Sequence, residues 1–248
     1  MMKTAILSDI HGNLEAFDAV MSDLEGYSPD RIICLGDLIG YGPDPEEVIK
    51  KVAAREISCV RGNHEAALSS DKALNWLNFL ARENNLATKA LLSDRSLDFC
   101  ASLPRSLSFE ESCFVHGCPP DSILKYLYTL RDADITALVE NLPENKFFVG
   151  HTHDLRLITV SEGEITRAKL SEGSLRLHDD ASYFINVGSV GHPRDGNSKA
   201  KYVIWDSSDG TLLVRAIPYP AEVTAEKIVS RGFPRAYAIC ICPSFAQV

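Results

Sequence analysis

Five short apolar runs along the chain each stop at residues able to bind a metal ion. They are Ala5-Ile6-Leu7 before Asp9 and His11, Ile32-Ile33-Cys34-Leu35 before Asp37, Cys59-Val60 before Asn63 and His64, Phe114-Val115 before His116, and Phe147-Phe148-Val149 before His151 and His153. An apolar run of this length that gives way to Gly or a polar residue reads as a buried strand meeting a loop. In a parallel α/β sheet the ligand site lies beyond the carboxyl ends of the strands, so these five ends can converge. Asp, Asn and His together make a mixed nitrogen and oxygen donor set, acceptable to Mn, Fe, Zn or Ni. Asp9 and His11 stand two residues apart at a strand end, as do His151 and His153. Strand alternation therefore predicts that the members of each pair point to one side and grip one ion. A lone histidine is weak ground for a site, but five of the seven histidines fall at strand ends of this kind.

Helical patterns separate the runs. Asn13 can cap a helix whose apolar residues Leu14, Phe17, Val20, Met21 and Leu24 share one face. Asp44-Pro45-Glu46-Glu47 reads as a helix start, with Asp44 as its cap. The alternation of strand and helix over residues 4 to 63 predicts a parallel sheet with right-handed crossovers. Residues 66–102 read as mostly helical, within a wall segment 66–110. A second wall segment, 118–146, combines a Pro-rich loop with a helix near Asp134. From 157 to 217 short strands alternate with turns, which predicts an antiparallel sheet packed on the first, covered by a helix near Ala221 to Ser230. No repeat or linker divides residues 1–248, so one domain is expected.

Composition narrows the function. Thirty-four acidic residues against 25 basic ones give a net charge of −9, and no Lys/Arg run is present to track a nucleic acid backbone, which disfavours nucleic-acid partners. The first strand begins directly after Met1-Met2-Lys3, and no apolar stretch approaches the ~18 residues of a membrane span. A cytoplasmic protein without a membrane partner is expected. Seven cysteines with no C-x-x-C pair argue against a disulfide framework or a Cys-rich zinc site.

The blocks Asp9-Ile10-His11, Gly36-Asp37, Gly62-Asn63-His64-Glu65, His116-Gly117 and Gly150-His151-Thr152-His153 stand in the order shown by the calcineurin-like binuclear metallophosphoesterases, and the chain resembles that family over residues 4 to 153. The resemblance implies an αββα sandwich of two mixed sheets flanked by helices. It also implies one metal held by Asp9, His11 and His153 and another by Asn63, His116 and His151, with Asp37 bridging. Mn and Fe are the leading metals, with Zn and Ni as alternatives. Two such ions would lower the pKa of a shared water, supply hydroxide and offset charge on a phosphoryl group during in-line displacement. In the family the residue at His64 lies near the substrate, and a general-acid role suits its imidazole.

A sixth block, Asn186-Val187-Gly188-Ser189-Val190-Gly191-His192-Pro193-Arg194, resembles the Asn-x-Gly-Ser segment of bacterial relatives. Its turn amides at Gly188 and Ser189 and the Arg194 guanidinium are candidate phosphate contacts. His192 and His178 receive no role. The stretch Gly36-Asp37-Leu38-Ile39-Gly40-Tyr41-Gly42 departs from the Gly-Asp-x-x-Asp-Arg-Gly of the protein Ser/Thr phosphatase branch. Gly40 and Tyr41 replace its second Asp and its Arg, which argues against protein-phosphatase activity. His64 then needs another partner, with Glu65 or a backbone carbonyl as substitutes, and Tyr41 becomes a candidate substrate contact. The reading is a hydrolase of small phosphate esters that favours diesters. A phosphomonoesterase or a dinucleoside-polyphosphate hydrolase is the alternative, while a DNA nuclease or a non-enzymatic scaffold fits less well. A dimer would follow family habit.

Overall fold

The computed structural model describes residues 2–247. Strand β1 (Lys3–Leu7), helix α1 (Leu14–Glu25), β2 (Arg31–Cys34), α2 (Pro45–Ala54) and β3 (Ser58–Cys59) follow one another as the sequence predicts. β1 lies parallel to β2, and β2 to β3. Asn13 caps α1 by accepting from the Ala16 amide at 3.1 Å. Asp44 does not cap α2; its carboxylate instead receives Lys227 at 2.8 Å and Arg231 at 2.7 Å, tying the C-terminal region to the first crossover.

The expected helical stretch forms α3 (Asn63–Ala67), α4 (Asp71–Trp76), α5 (Phe79–Lys89) and α6 (Asp94–Ser102). A strand that the sequence did not reveal, β4 (Ser106–Phe109), pairs antiparallel with β5 (Ser112–Val115). Then come α7 (Asp132–Asn141), β6 (Lys146–Val149), β7 (Leu155–Ser161), β8 (Glu164–Lys169), β9 (Gly173–Arg176), β10 (Ser182–Val187), β11 (Ala200–Asp206), β12 (Thr211–Ile217), α8 (Ala221–Ser230) and α9 (Arg235–Ile241).

The late strands do not form a sheet of their own. One six-stranded sheet runs β3-β2-β1-β11-β12-β9 and the other β4-β5-β6-β10-β7-β8. Burial explains the split. β10 and β11 are buried almost throughout, so each needs neighbours on both edges and cover on both faces. β10 lies between β6, parallel to it, and β7, antiparallel. β11 lies antiparallel between β1 and β12. The largely exposed β8 takes an edge.

Alternation within the strands makes the layers. Ile6, Ile33, Leu35, Phe148, Ile185, Val203 and Trp205 fill the space between the sheets. Ala5, Leu7 and Cys34 face the other way, against Phe17, Val20, Val48 and Val52 of α1 and α2. On the far side Phe147, Val149 and Phe184 pack with Ile135 of α7. The result is the two mixed sheets flanked by helices that the resemblance implied. All seven cysteines are free, and no helix among the described residues is long and apolar enough to cross a membrane.

Candidate metal centre

The five strand ends meet where the two sheets adjoin, and their donor atoms fall into two clusters. In the first, His153 Nε2 is 3.2 Å from Asp9 Oδ1 and 3.2 Å from His11 Nε2. In the second, His116 Nε2 is 2.9 Å from Asn63 Oδ1, 3.0 Å from His151 Nδ1 and 3.3 Å from Asp37 Oδ2. The same Asp37 Oδ2 stands 3.7 Å from His11 Nε2, so one oxygen belongs to both clusters. Separations near 3 Å are those of donors sharing an ion at roughly 2.1 Å. All seven side chains are buried.

The convergence has a different local cause from the one the sequence suggested. β1 ends at Leu7 and β6 at Val149, so the paired residues lie beyond strand alternation. Asp9, His11, Asp37, Tyr41, His151 and His153 all have φ between 51° and 69°, and they are six of the ten described non-glycine residues with positive φ. That left-handed region costs most side chains energy but is visited more readily by Asp and His, and such residues gather at functional sites. At the end of β2, Gly36 has φ 91°, and a Cβ there would stand 2.4 Å from the Gly62 amide nitrogen; a Cβ on Gly62 would meet Asp37 Oδ1 at 2.1 Å. Two facing glycines thus let the Asp37 and Asn63 loops close on each other.

Hydrogen bonds at the outer atoms aim the inner ones. Asp9 Oδ2 accepts from the Ser8 hydroxyl at 2.6 Å and the His151 amide at 3.0 Å, leaving Oδ1 without a donor. Asp37 Oδ1 accepts from the His64 amide at 2.9 Å. The Nδ1–H groups of His11, His116 and His153 donate to the carbonyls of Ile39, Leu35 and His192, which assigns the tautomer and leaves each Nε2 with a lone pair. Lone pairs then face lone pairs in both clusters. Such an arrangement calls for cations, and this donor chemistry fits divalent metals.

The electrostatics agree. Burial opposes ionisation of Asp37, yet the facing imidazoles of His116, His64 and His11 hold its carboxyl well below the usual carboxylate range. Asp9 is held low in the same way, chiefly by His153 working against burial. Burial disfavours a charged His116, but the Asp37 carboxylate overcomes it and raises the imidazole to about 9, so that with no ion bound a proton on Nε2 supplies the positive charge this cluster calls for. Burial takes His151 down to about 3.

His64 sits in the first turn of α3, beside Asn63, with its Nδ1 unpartnered. Gly40 is the reason the ring fits: with φ 86°, a Cβ there would lie 2.2 Å from His64 Nδ1. Glu65 does not orient His64. Its buried carboxylate accepts from four backbone amides, those of Asp37, Gly62, Leu38 and Ile39, at 2.8–3.3 Å, locking the bridging loop to α3. Glu65→Gln turns an NH2 toward two of these donors. We expect a loss of about 3 kcal/mol in urea unfolding, with metal affinity lowered about 10–100-fold; unchanged stability would remove Glu65 from this role.

A cavity of ≈ 260 Å³ opens over the centre. Tyr41 and Arg194, both singled out in the sequence, line it, with an Arg194 Nη2 donating to the Tyr41 hydroxyl at 3.3 Å. Gly188 and Ser189 do not line it, contrary to expectation. The turn amides are already used: those of Gly188, Val190, Gly191 and His192 donate to Asn186 Oδ1, the Ser8 and Asp9 carbonyls and Ser189 Oγ, and the Ser189 hydroxyl donates to the Asp9 carbonyl. The turn braces the Asp9 loop instead. His178 is exposed, but His192 is buried at the site, its ring 4.7 Å from Tyr41. Sequence reading also missed Trp76 and Tyr126, which line the cavity, and Tyr237, whose ring packs 4.7 Å from Tyr41. None of these three stands in a block with a recognisable spacing.

Comparison with known proteins agrees with this geometry. The sequence profile of the calcineurin-like phosphoesterase superfamily domain matches residues 2–210. The uncharacterized protein MJ0912 of Methanocaldococcus jannaschii is 35% identical over 237 residues, which cover 93% of each chain. The crystal structure of a metallophosphoesterase from Sphaerobacter thermophilus superposes with a TM-score of 0.82 at 29% identity, over 97% of this chain and 98% of that one. A hypothetical protein from Pyrococcus horikoshii OT3, PH1004, shares the fold with a TM-score of 0.77 at 17% identity, over 97% and 98%. The strand-end donors and these similarities lead to one assignment: the chain belongs to the calcineurin-like phosphoesterase superfamily.

Proposed function

We propose that this protein is a binuclear metal-dependent hydrolase of small phosphate esters, with diesters preferred. The observation that carries the reading is Asp37 Oδ2, which faces His11 Nε2 and His116 Nε2 and so joins the two donor clusters. Asp9, His11 and His153 would hold one ion, Asn63, His116 and His151 the other, with Asp37 placed to serve both. Such a pair, most simply Mn or Fe, activates water at neutral pH and offsets charge on the phosphoryl oxygens. The protein's own part is placement. Backbone carbonyls fix three imidazoles, the Ser8 hydroxyl and His151 amide fix Asp9, and the His64 amide fixes Asp37.

His64 is the general acid: its ring edges the cavity, next to an Asp37 that its own amide anchors. Arg194, steadied by Tyr41, faces a non-bridging phosphate oxygen. It is the one Lys or Arg side chain among the described lining residues, which suits a singly charged diester better than a doubly charged monoester.

Protein stripped of metal should hydrolyse neither bis(p-nitrophenyl) phosphate nor p-nitrophenyl phosphate. Added Mn²⁺ should restore turnover, with the diester ahead in kcat/KM. Preference for the monoester would move the reading to a phosphomonoesterase, and silence with every metal would leave a non-enzymatic scaffold.

A further inference from the structure

One wall of the cavity is aromatic, and neither the donor clusters nor the proton donor uses it. Trp76 closes α4, Tyr126 follows the Pro-rich loop, and both line the cavity together with Leu77 and Ala81. Tyr126 stacks on His151 with ring centres 4.1 Å apart and planes 10° apart. Trp76 lies 5.4 Å from His151 and 5.5 Å from Tyr126, inclined by 30° and 36°. Tyr128, 72% exposed, stacks on Tyr126 at 5.0 Å and carries the wall outward. Trp76 is 39% exposed although its neighbours Ala73 and Leu77 are buried, so an indole surface is left in water directly beside the metal centre.

From this we infer that Trp76 and Tyr126 form a stacking wall that selects phosphate esters carrying a flat π-system, a nucleobase or an aryl ring, on the ester group. The inference rests on the phosphoesterase reading and names its substrate class. Trp76, Tyr126 and His151 line the same cavity, so a phosphate ester bound at the metal centre would place its organic group beside this wall. A planar ring covers exposed aromatic surface there and gains stacking, which an alkyl group of similar length does not. The wall comes from the two segments that join the metal-bearing strands, so it can vary without disturbing the donors.

Trp76 is the exposed one of the chain's two tryptophans, since Trp205 is buried between the sheets. Its fluorescence therefore reports on the wall without turnover. Thymidine 5′-monophosphate and phenyl phosphate, titrated into the Mn²⁺-loaded protein, should quench it, while methyl phosphate should not. Quenching by only one of the two identifies the source of the ring as base or aryl group, and quenching by neither overturns the inference. For kinetics, the p-nitrophenyl ester of thymidine 5′-monophosphate, p-nitrophenyl phenyl phosphate and methyl p-nitrophenyl phosphate share one leaving group. All three carry the p-nitrophenyl ring as leaving group, so the test is on the group that stays on phosphorus: at least one of the two esters with a ring there should exceed the methyl ester in kcat/KM by about tenfold. That ratio should collapse toward one in Trp76→Leu and survive in part in Trp76→Phe. A general loss of structure would lower every ester together and leave the ratio standing, which counts against the wall. Absence of p-nitrophenolate from all three esters overturns the phosphoesterase reading, while quenching still decides the stacking.

Discussion

Asp37→Asn should cost the protein its second metal and nearly all its activity. Turnover of bis(p-nitrophenyl) phosphate is expected to fall by about 100–1,000-fold, the loss typical when one electrostatic stabiliser of transition-state charge is removed. The reason is specific to one oxygen. Asp37 Oδ1 is occupied by the His64 amide, which an asparagine oxygen can still accept, so the loop keeps its shape. The atom at the Oδ2 position, between His11 Nε2 and His116 Nε2, becomes an uncharged NH2 with no lone pair for either ion. Metal content measured on the purified variant should drop from two ions per chain toward one, with the circular dichroism spectrum retained. Two ions and wild-type turnover in Asp37→Asn would dissolve the bridged centre.

The donors were legible in the sequence because each follows an apolar run that feeds a strand of the two sheets and stops abruptly at polar residues. What makes the donors converge was not legible. A positive φ at Asp9, His11, His151 or His153 leaves no mark in the sequence, since it is imposed by contacts from elsewhere. The His151 amide, for example, is held by Asp9 of the other sheet. Pairing of the late strands was hidden for a related reason: β10 and β11 read as ordinary short strands, and only the demand for two covered faces sends them to different sheets. The Gly188–His192 turn has the composition of a phosphate loop, but whether its amides are free depends on a partner, the Ser8–Asp9 backbone, about 180 residues away in sequence. Trp76, Tyr126 and Tyr237 come from connecting or C-terminal segments, where nothing in local spacing separates a site residue from a packing one. Tyr237 lies outside the span matched by the family profile, yet its ring meets Tyr41 over the cavity wall.

His64→Asn is expected to reduce turnover of an ester with a poor leaving group by about 100-fold or more while both ions stay bound. The structure adds a condition to this role. Burial, reinforced by the nearby His11, His116 and His153 and opposed by Asp37, takes the imidazole from its ordinary 6.5 down to about 3. A histidine lowered in this way is neutral at pH 7, so it is not a standing cation that merely attracts phosphate. To act as an acid it must take up its proton together with the anionic substrate, whose charge favours the imidazolium. Donation then matters in proportion to how badly the leaving oxygen needs a proton. Across a series of aryl methyl phosphates, kcat in the wild type should depend weakly on leaving-group pKa. The variant should show a steeper dependence, nearly matching the wild type for p-nitrophenolate and falling away for phenolate. Equal slopes with a uniform drop would mean that His64 positions the substrate without giving up a proton. The unpartnered Nδ1, enclosed by Gly40 where the phosphatase branch has a carboxylate, is what makes the distinction worth measuring. With no carboxylate to hold the proton beforehand, the substrate itself must recruit it.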